Sequence, residues 1–508
     1  MATAIVLAVF LLVAQHQKAY ALRDYADFTV WRQVIASIAQ GHVPSSTLEV
    51  GLSGGTSAYF GVHFAPVVYL FSIPYALWPS VECILWLQWL LLMATCVPLY
   101  SFAKRQLGKA EYGLFAVACL VLYPPFEYIH LYEIEMLRFS IPLLLTALVA
   151  SESGWRYRYW LAIAGALLVR EEVSLTVFVL GLYILLVRKR RLQGAITSVA
   201  ALGYFLVVTQ IVMQQLRPGQ GHVAAGSFSE LGGTMLGVAL AVFTKPMLVL
   251  RQVLVPVKLA NLFMYVMPLL LVPFAAWPLL LIASANVGLN LLSSSETYTS
   301  YFLYYLSPTI PVIFVALIEG IKIMGRKLDT WKASVRLASL PSCGTRAIVL
   351  GVFSAVLSAN VFFGPSPLSI QFWVGSYRLA PFRTERFHYS QYIVTRHDRV
   401  WEEFVSVVPK SSIVSAEQHL LPPLFDRRGL RVFPDIAGAD FVVIDKPFPL
   451  KTGIPSVPGS WDGLRKNPQY YYDWVEKEPS KWYLVAQRDG YFAYARTRSD
   501  PSSGTRRP

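Results

Sequence analysis

The chain is poor in charge. Only 15% of its 508 residues are Asp, Glu, Lys or Arg, against about 25% in an ordinary soluble domain. Acids are the scarcer sign, with 30 Asp and Glu against 44 Lys and Arg, so a solvated acidic or disordered chain is excluded. Cysteine is scarce as well. Cys83, Cys96, Cys119 and Cys343 show no C-x-x-C spacing, three lie in apolar segments, and the C-terminal region has none. That leaves no disulfide framework and no zinc-finger pattern. No P-loop, G-x-S-x-G, H-E-x-x-H or dinucleotide fingerprint occurs, and no internal repeat is visible.

What the chain has instead is apolar length. Hydrophobic residues make up 55%, with 13 Trp and 28 Tyr, and the mean hydropathy is +0.48. Apolar runs of helix length fall near 3–21, 81–103, 112–127, 137–151, 158–170, 173–187, 193–214, 259–276, 278–293, 303–321 and 346–363. The reading is a mainly α, polytopic transmembrane bundle of about eleven spans over residues 1–363. Several runs are shorter than the ~20 residues that a full crossing needs, which implies tilt or helix ends recessed in a water-filled cavity. The segments 64–79 and 228–258 are apolar but broken by Pro or by basic residues, and read as interfacial helices. Residues 4–14 could also form a signal-peptide core before Ala19-Tyr20-Ala21, although no Lys or Arg precedes them.

Charge sorts by loop. Lys104, Arg105 and Lys109 fall on one side, with Arg156 and Arg158, Arg188 to Arg191, and Lys322, Arg326, Lys327, Lys332 and Arg336. The positive-inside rule makes that side cytoplasmic, together with the N-terminus. These loops account for much of the net charge of +14, so no nucleic-acid partner is implied. The opposite, exterior side takes Asp24, Asp27 and His63, then Glu127, His130, Glu133 and Glu135, then Arg170, Glu171 and Glu172. It also takes the region beyond Gly364-Pro365. There 411–416, 430–434, 439–445, 482–487 and 491–496 read as strands and 398–408 and 416–425 as helices. The expectation is an exterior α/β domain over 364–496 and a disordered tail over 497–508.

Chemistry is sought on the exterior face. In the loop 22–63, Asp24 fits a helix cap. Asp27 lies inside the amphipathic stretch 27–40 and can serve as a general base or bind a cation. Arg170-Glu171-Glu172 sits between two apolar runs, where three charges need pairing and a cavity. One carboxylate of that trio is left in excess, to bind a cation or orient a hydroxyl. A helical 130–138 would put Glu135 and Arg138 on one face. His63 precedes an apolar run. The cluster 298–305, with Tyr304 and Tyr305, can stack on sugar rings or form an aromatic belt.

Several of these residues carry a family resemblance. Asp27, Gln33 and Gly41, then His63, Phe64 and Pro66, then Arg170 to Val173, Tyr305 and Pro311, and finally 414–416, Arg428 and 439–442 follow one another in order. In this the chain resembles a prokaryotic family of predicted membrane proteins of unknown function, over nearly its whole length. It departs at Glu133, where the family often has His, and at Arg32, where it often has an acid. That family resembles the GT-C membrane glycosyltransferases. The resemblance implies a multi-pass protein of the prokaryotic cytoplasmic membrane that transfers sugar from a polyprenyl-phosphate donor. Asp27, Glu171 and Glu172 would be catalytic, and Asp27 the best candidate for holding a divalent cation. His63, Glu135, Arg170, Tyr304 and Tyr305 would line the substrate, with Arg170 facing phosphate. Membrane lipids are the expected partners. A non-catalytic subunit or assembly factor of a membrane complex is one alternative, and a transporter or flippase the other.

Overall fold

The computed structural model describes residues 2–24, 26–48, 58–218, 223–334, 344–374, 378–379, 382–383, 387–446 and 467–497. Cys343, the glycine- and serine-rich turn at 51–57 and the tail beyond 497 lie outside the described residues. A helix stands on every one of the eleven apolar runs. In order they are α1 Ala2–Tyr20, α2 Ala26–Ala39, α3 Tyr69–Leu77, α4 Val81–Leu107, α5 Ala110–Val121, α6 Pro124–Leu131, α7 Met136–Ser153, α8 Arg156–Leu167 and α9 Val173–Leu186. Then come α10 Arg191–Leu216, α11 Met235–Thr244, α12 Pro246–Val253, α13 Pro256–Val266, α14 Val272–Leu292, α15 Thr309–Ser334 and α16 Gly344–Phe363.

Six of them (α1, α4, α7, α10, α14 and α16) are long and apolar enough to cross a membrane, and up to eight segments qualify if two bent pairs count. The bent pairs are α5–α6, at 55°, and α12 with the helix Pro256–Leu269, at 59°. The eleven runs are therefore fewer full-length crossings than runs. At 1.5 Å per residue, the 14 residues of α9 reach about 21 Å. Its chain therefore turns inside the bundle, at Arg170–Glu172. The 12-residue segment Pro66–Leu77 is likewise too short to cross, as its prolines suggest. α9 and α10 approach closely through glycine: a Cβ on Gly181 would lie 2.4 Å from Ser198 Oγ, and one on Gly194 2.4 Å from Leu185 N. Small residues permit such close helix contact in lipid.

The basic loops meet at one end of the bundle. The guanidiniums of Arg105 and Arg158 lie 5.3 and 4.6 Å from the Trp155 ring. Arg188 pairs with Glu152, Arg190 donates to Ser151 O at 2.5 Å, and Lys322 donates to Gln106 at 2.6 Å. The acidic connections gather at the other end, beneath the C-terminal domain.

That domain is α/β. Its five-stranded sheet has the order β4-β3-β5-β7-β6, built from β3 Ile413–Ala416, β4 Gly429–Val432, β5 Phe441–Asp445, β6 Trp482–Arg488 and β7 Tyr491–Arg496. A two-residue pair, β1 Arg378–Leu379 and β2 Phe382–Arg383, precedes it. β3 pairs in parallel with β4 and β5, and β7 runs antiparallel to β5 and β6. Helix α17 Arg396–Phe404 begins in a capping box of Thr395 and Asp398, which satisfies two orphan N–H groups. Helix α18 Pro468–Glu476 carries no apolar run that would announce it. The helix expected over 416–425 is instead two 3-10 turns, Gln418–Leu420 and Pro422–Leu424, because Pro422 and Pro423 withhold backbone N–H groups.

The domain docks on α2. The Arg32 guanidinium lies 3.7 Å from the Phe425 ring and donates to Pro422 O at 3.1 Å. Gln33 donates to Phe425 O at 2.9 Å, Leu430 N donates to Thr47 Oγ1 at 3.1 Å, and Arg23 lies 3.4 Å from Asp398. Arg32 is thus a docking residue.

Candidate functional site

The site grows out of four short connections at the domain-side end. α2 begins directly after α1 and carries Asp27 in its first turn. Asp27 Oδ2 accepts from Tyr132 OH at 2.8 Å. Glu133 Oε2 accepts from Phe28 N at 3.2 Å, so a buried carboxylate caps the positive end of α2. One turn beyond Asp27, Trp31 Nε1 donates to Glu135 Oε2 at 3.0 Å.

Glu135 leads to Arg170. Its Oε1 accepts from Arg170 Nη1 at 3.0 Å. Arg170 Nε lies 3.0 Å from Glu172 Oε2, at ion-pair distance but without hydrogen-bond alignment. Arg170 Nη2 is 3.4 Å from His63 Nε2, and His63 Nδ1 is 3.2 Å from Glu171 Oε1. This fits the tautomer protonated on Nδ1, which donates to Glu171 while Nε2 accepts from Arg170. Glu171 Oε2 also accepts from Phe64 N at 2.9 Å, which fixes the His63-Phe64 turn against the α8–α9 turn.

The structure therefore places His63, Glu135, Arg170, Glu171 and Glu172 in one contact network. Asp27 reaches the same loop through Tyr132, and Tyr132 packs on Tyr304 with ring centroids 5.1 Å apart. Tyr304 and Tyr305 are 4.4 Å apart, and Tyr305 meets Tyr298 at 4.5 Å.

Two expectations change. Asp24 forms a buried ion pair with Lys18 at 3.0 Å where a helix cap was expected, because Lys18 brings an ammonium into the apolar bundle. Glu135 and Arg138 do not share a helix face. Residues 136–139 form a 3-10 turn capped by Glu135, and Arg138, fully buried, bends back to Tyr132 O and Glu133 O. The Arg170 guanidinium is engaged by two glutamates and an imidazole. Trp31, Tyr132 and Glu133 are the site members that sequence reasoning did not assign. The i, i+4 spacing from Asp27 to Trp31 was the one available signal.

His63, Glu171 and Glu172 also offer ligand atoms within 4.8 Å of one another, a donor set suited to a divalent cation. Glu133, Glu135 and Glu171 are buried beside the buried guanidiniums of Arg138 and Arg170.

A second titratable cluster lies in the α/β domain, outside the bundle. His397 Nε2 is 3.1 Å from both oxygens of Asp445, and its Nδ1 is 3.1 Å from Asp489. His419 Nε2 is 3.0 Å from Asp445. The Asp445 hydrogen bond holds the His397 pKa above its ordinary 6.5, against the opposing effect of burial. Burial pushes His419 the other way. Burial also opposes ionisation of Asp445, but its two imidazole hydrogen bonds outweigh that and keep its carboxyl below the usual range. A raised histidine pKa contributes stability that is complete below the unfolded value of about 6.5 and is lost as pH rises through the folded value. Thermal unfolding of the full chain should therefore show a midpoint that declines above about pH 6.5, and His397→Gln should flatten that decline. An identical alkaline slope in the variant would show that His397 is not the group responsible.

Fold and site together define a polytopic helical membrane protein with an α/β domain seated over an acidic mouth. The chain belongs to the DUF2079 family of predicted membrane proteins, whose pattern matches residues 20–491. No curated protein matches it. Among solved structures it is similar to an archaeal oligosaccharyltransferase, AglB from Archaeoglobus fulgidus, solved with an inhibitory peptide and a dolichol-phosphate. The identity is 11% and the TM-score 0.41, over 97% of this chain and 74% of that one.

Proposed function

We propose that this protein is a membrane glycosyltransferase that takes a sugar from a polyprenyl-phosphate donor at the exterior face of a prokaryotic cytoplasmic membrane. The observation that carries this reading is the convergence of Asp27, Glu135, Arg170, Glu171, Glu172 and His63 at one mouth of a membrane bundle. Ionisable groups are expensive within a bundle and are kept there for function. A cavity of about 560 Å³ nearby supports a lipid-borne substrate. It is lined by apolar side chains such as Leu259, Phe263, Phe274, Val287 and Ile313. One of its lining residues, Thr309, donates to Asn286 Oδ1 at 2.9 Å, and Asn286 donates to Tyr305 O at 3.1 Å.

In this reading Asp27 takes the proton of the acceptor hydroxyl as its oxygen attacks the anomeric carbon and the sugar–phosphate bond breaks. Tyr132 aims the Asp27 carboxylate, while Tyr304 and Tyr305 offer ring faces to the sugar. Arg170 holds Glu135 and Glu172 in place. His63, Glu171 and Glu172 would hold a divalent cation, which when bound would neutralise charge on the departing phosphate.

Two measurements test the reading. Labelled sugar should pass from polyprenyl-phosphate donors to acceptors in proteoliposomes, and chelation should lower the rate. No transfer across a broad donor panel, with loss of a partner complex on deletion of the protein, would replace the enzyme by an assembly factor. Substituted-cysteine labelling should report positions 107, 190 and 330 from the cytoplasm and 410 from the exterior. An exterior signal at 190 would invert the orientation.

A further inference from the structure

The hairpin of α11 and α12 is largely exposed along its described side chains, although Ala241 is buried. No residue of α12 is buried. Phe243 is 83% exposed and Met247 77%, and Leu240, Leu250 and Leu254 are exposed beside them. Leu240 and Phe243 lie about one turn apart on α11, and Met247 and Leu250 about one turn apart on α12, so each helix exposes an apolar face. Lys245, at the break between the two helices, and Arg251, in the last turn of α12, are exposed too. In water such an apolar stripe would be an aggregation liability. On a membrane protein it fits short surface-lying helices, too short to cross, whose exposed apolar side chains lie beside basic groups long enough to reach the headgroups.

The hairpin is tied firmly at its base. Lys258, in the first turn of α13, is buried, and its ammonium donates to Gln252 O, Leu291 O and Ser293 O at 2.9, 2.9 and 2.6 Å. A cation at a helix N-terminus is unfavourable, but here it lies against the carbonyl-rich C-terminal end of α14, which favours it. Gln252 donates to Glu230 at 2.7 Å. Ser294 N donates to Ser227 O at 2.8 Å, and Ser227 Oγ contacts Tyr298 OH at 3.4 Å. The base of the hairpin is thus fastened to the segment that continues into Tyr304 and Tyr305, at the mouth of the candidate site.

We propose that the α11–α12 hairpin lies in the headgroup layer of the bilayer, with Leu240, Phe243, Met247, Leu250 and Leu254 sunk toward the acyl chains and Lys245 and Arg251 on anionic headgroups. The charge of the two basic residues selects anionic lipid over a neutral surface, because each basic group near such a surface favours binding about five-fold. Through the Lys258 clamp the hairpin sets the depth of the Tyr298–Tyr305 mouth relative to the lipid headgroups. This surface stands apart from any catalytic role of the site.

The test uses the full chain with its four cysteines replaced, carrying M247C labelled with an environment-sensitive fluorophore. It is reconstituted in vesicles of phosphatidylcholine with or without phosphatidylglycerol. Spin-labelled lipids should quench the probe, more strongly with the label near the headgroup than with the label at the chain end. Combining K245E with R251E should lower that quenching roughly two-fold in the anionic vesicles and leave it unchanged in neutral ones. A probe quenched by aqueous iodide but not by lipid would overturn the proposal. So would strongest quenching by the chain-end label, which would mean a crossing helix, and protection from both quenchers, which would mean a protein partner. Equal quenching of wild type and charge-reversed protein in both vesicles would remove the anionic headgroups from it. None of these readouts depends on sugar transfer, so the proposal and the enzyme reading fail separately.

Discussion

Replacing Asp27 with Asn should reduce sugar transfer by about 10²–10⁴-fold, the usual cost of losing a general base, while expression and membrane insertion stay unchanged. The substitution keeps the shape that packs beneath the α/β domain and an oxygen able to accept from Tyr132 OH. It removes only the charge. Asp24→Asn is a contrasting change and not a silent one. Asp24 and Lys18 are both buried and 3.0 Å apart, and Lys18 also donates to Leu131 O at 3.1 Å. Removing one partner of a buried pair strands the other, at a typical cost of about 3–5 kcal/mol. Asp24→Asn should therefore lower the thermal midpoint, whereas Asp27→Asn lowers turnover. Full transfer by Asp27→Asn would move the base elsewhere, with Glu171 and Glu172 next to be tested.

Arg170→Gln should damage both fold and activity. The guanidinium lies 3.0 Å from Glu135 and 3.0 Å from Glu172, and its removal leaves two carboxylates facing each other without a cation between them. The expected loss is again about 3–5 kcal/mol. The pair with Glu135 can be isolated by a double-mutant cycle. Glu135→Gln in the Arg170→Gln background should cost less than in wild type, with a coupling of about 0.5–3 kcal/mol. Additive effects would mean that the contact contributes nothing. A divalent cation that restores stability to Arg170→Gln would show that a metal ion can supply the missing positive charge beside Glu135 and Glu172.

Much of this protein is written locally. Apolar runs long enough to be helices are a property of consecutive residues, so the helical bundle is legible from the chain. The β-branched and aromatic runs at 441–445 and 491–496 are equally local and mark two strands of the domain. Loop charge also sorts by position, and the contacts of Arg105, Arg158, Arg188 and Lys322 gather the basic loops at one end. Other features depend on partners far away in sequence. Which runs reach full crossing length depends on where each helix turns, and α9 stops short because its charged end is held by His63 and Glu135. The helix expected from Glu135 to Arg138 gives way because Arg138 finds backbone carbonyls and Glu135 finds Trp31 and Arg170. Arg32 could be read as a lost acid until Phe425 and Pro422, almost 400 residues later, were seen to receive it. The sequence by itself determined where the long apolar helices lie, which residues are charged and how the loops divide. Only the tertiary structure decided how those charges pair, because an ion pair is set by proximity across elements and not by spacing along the chain.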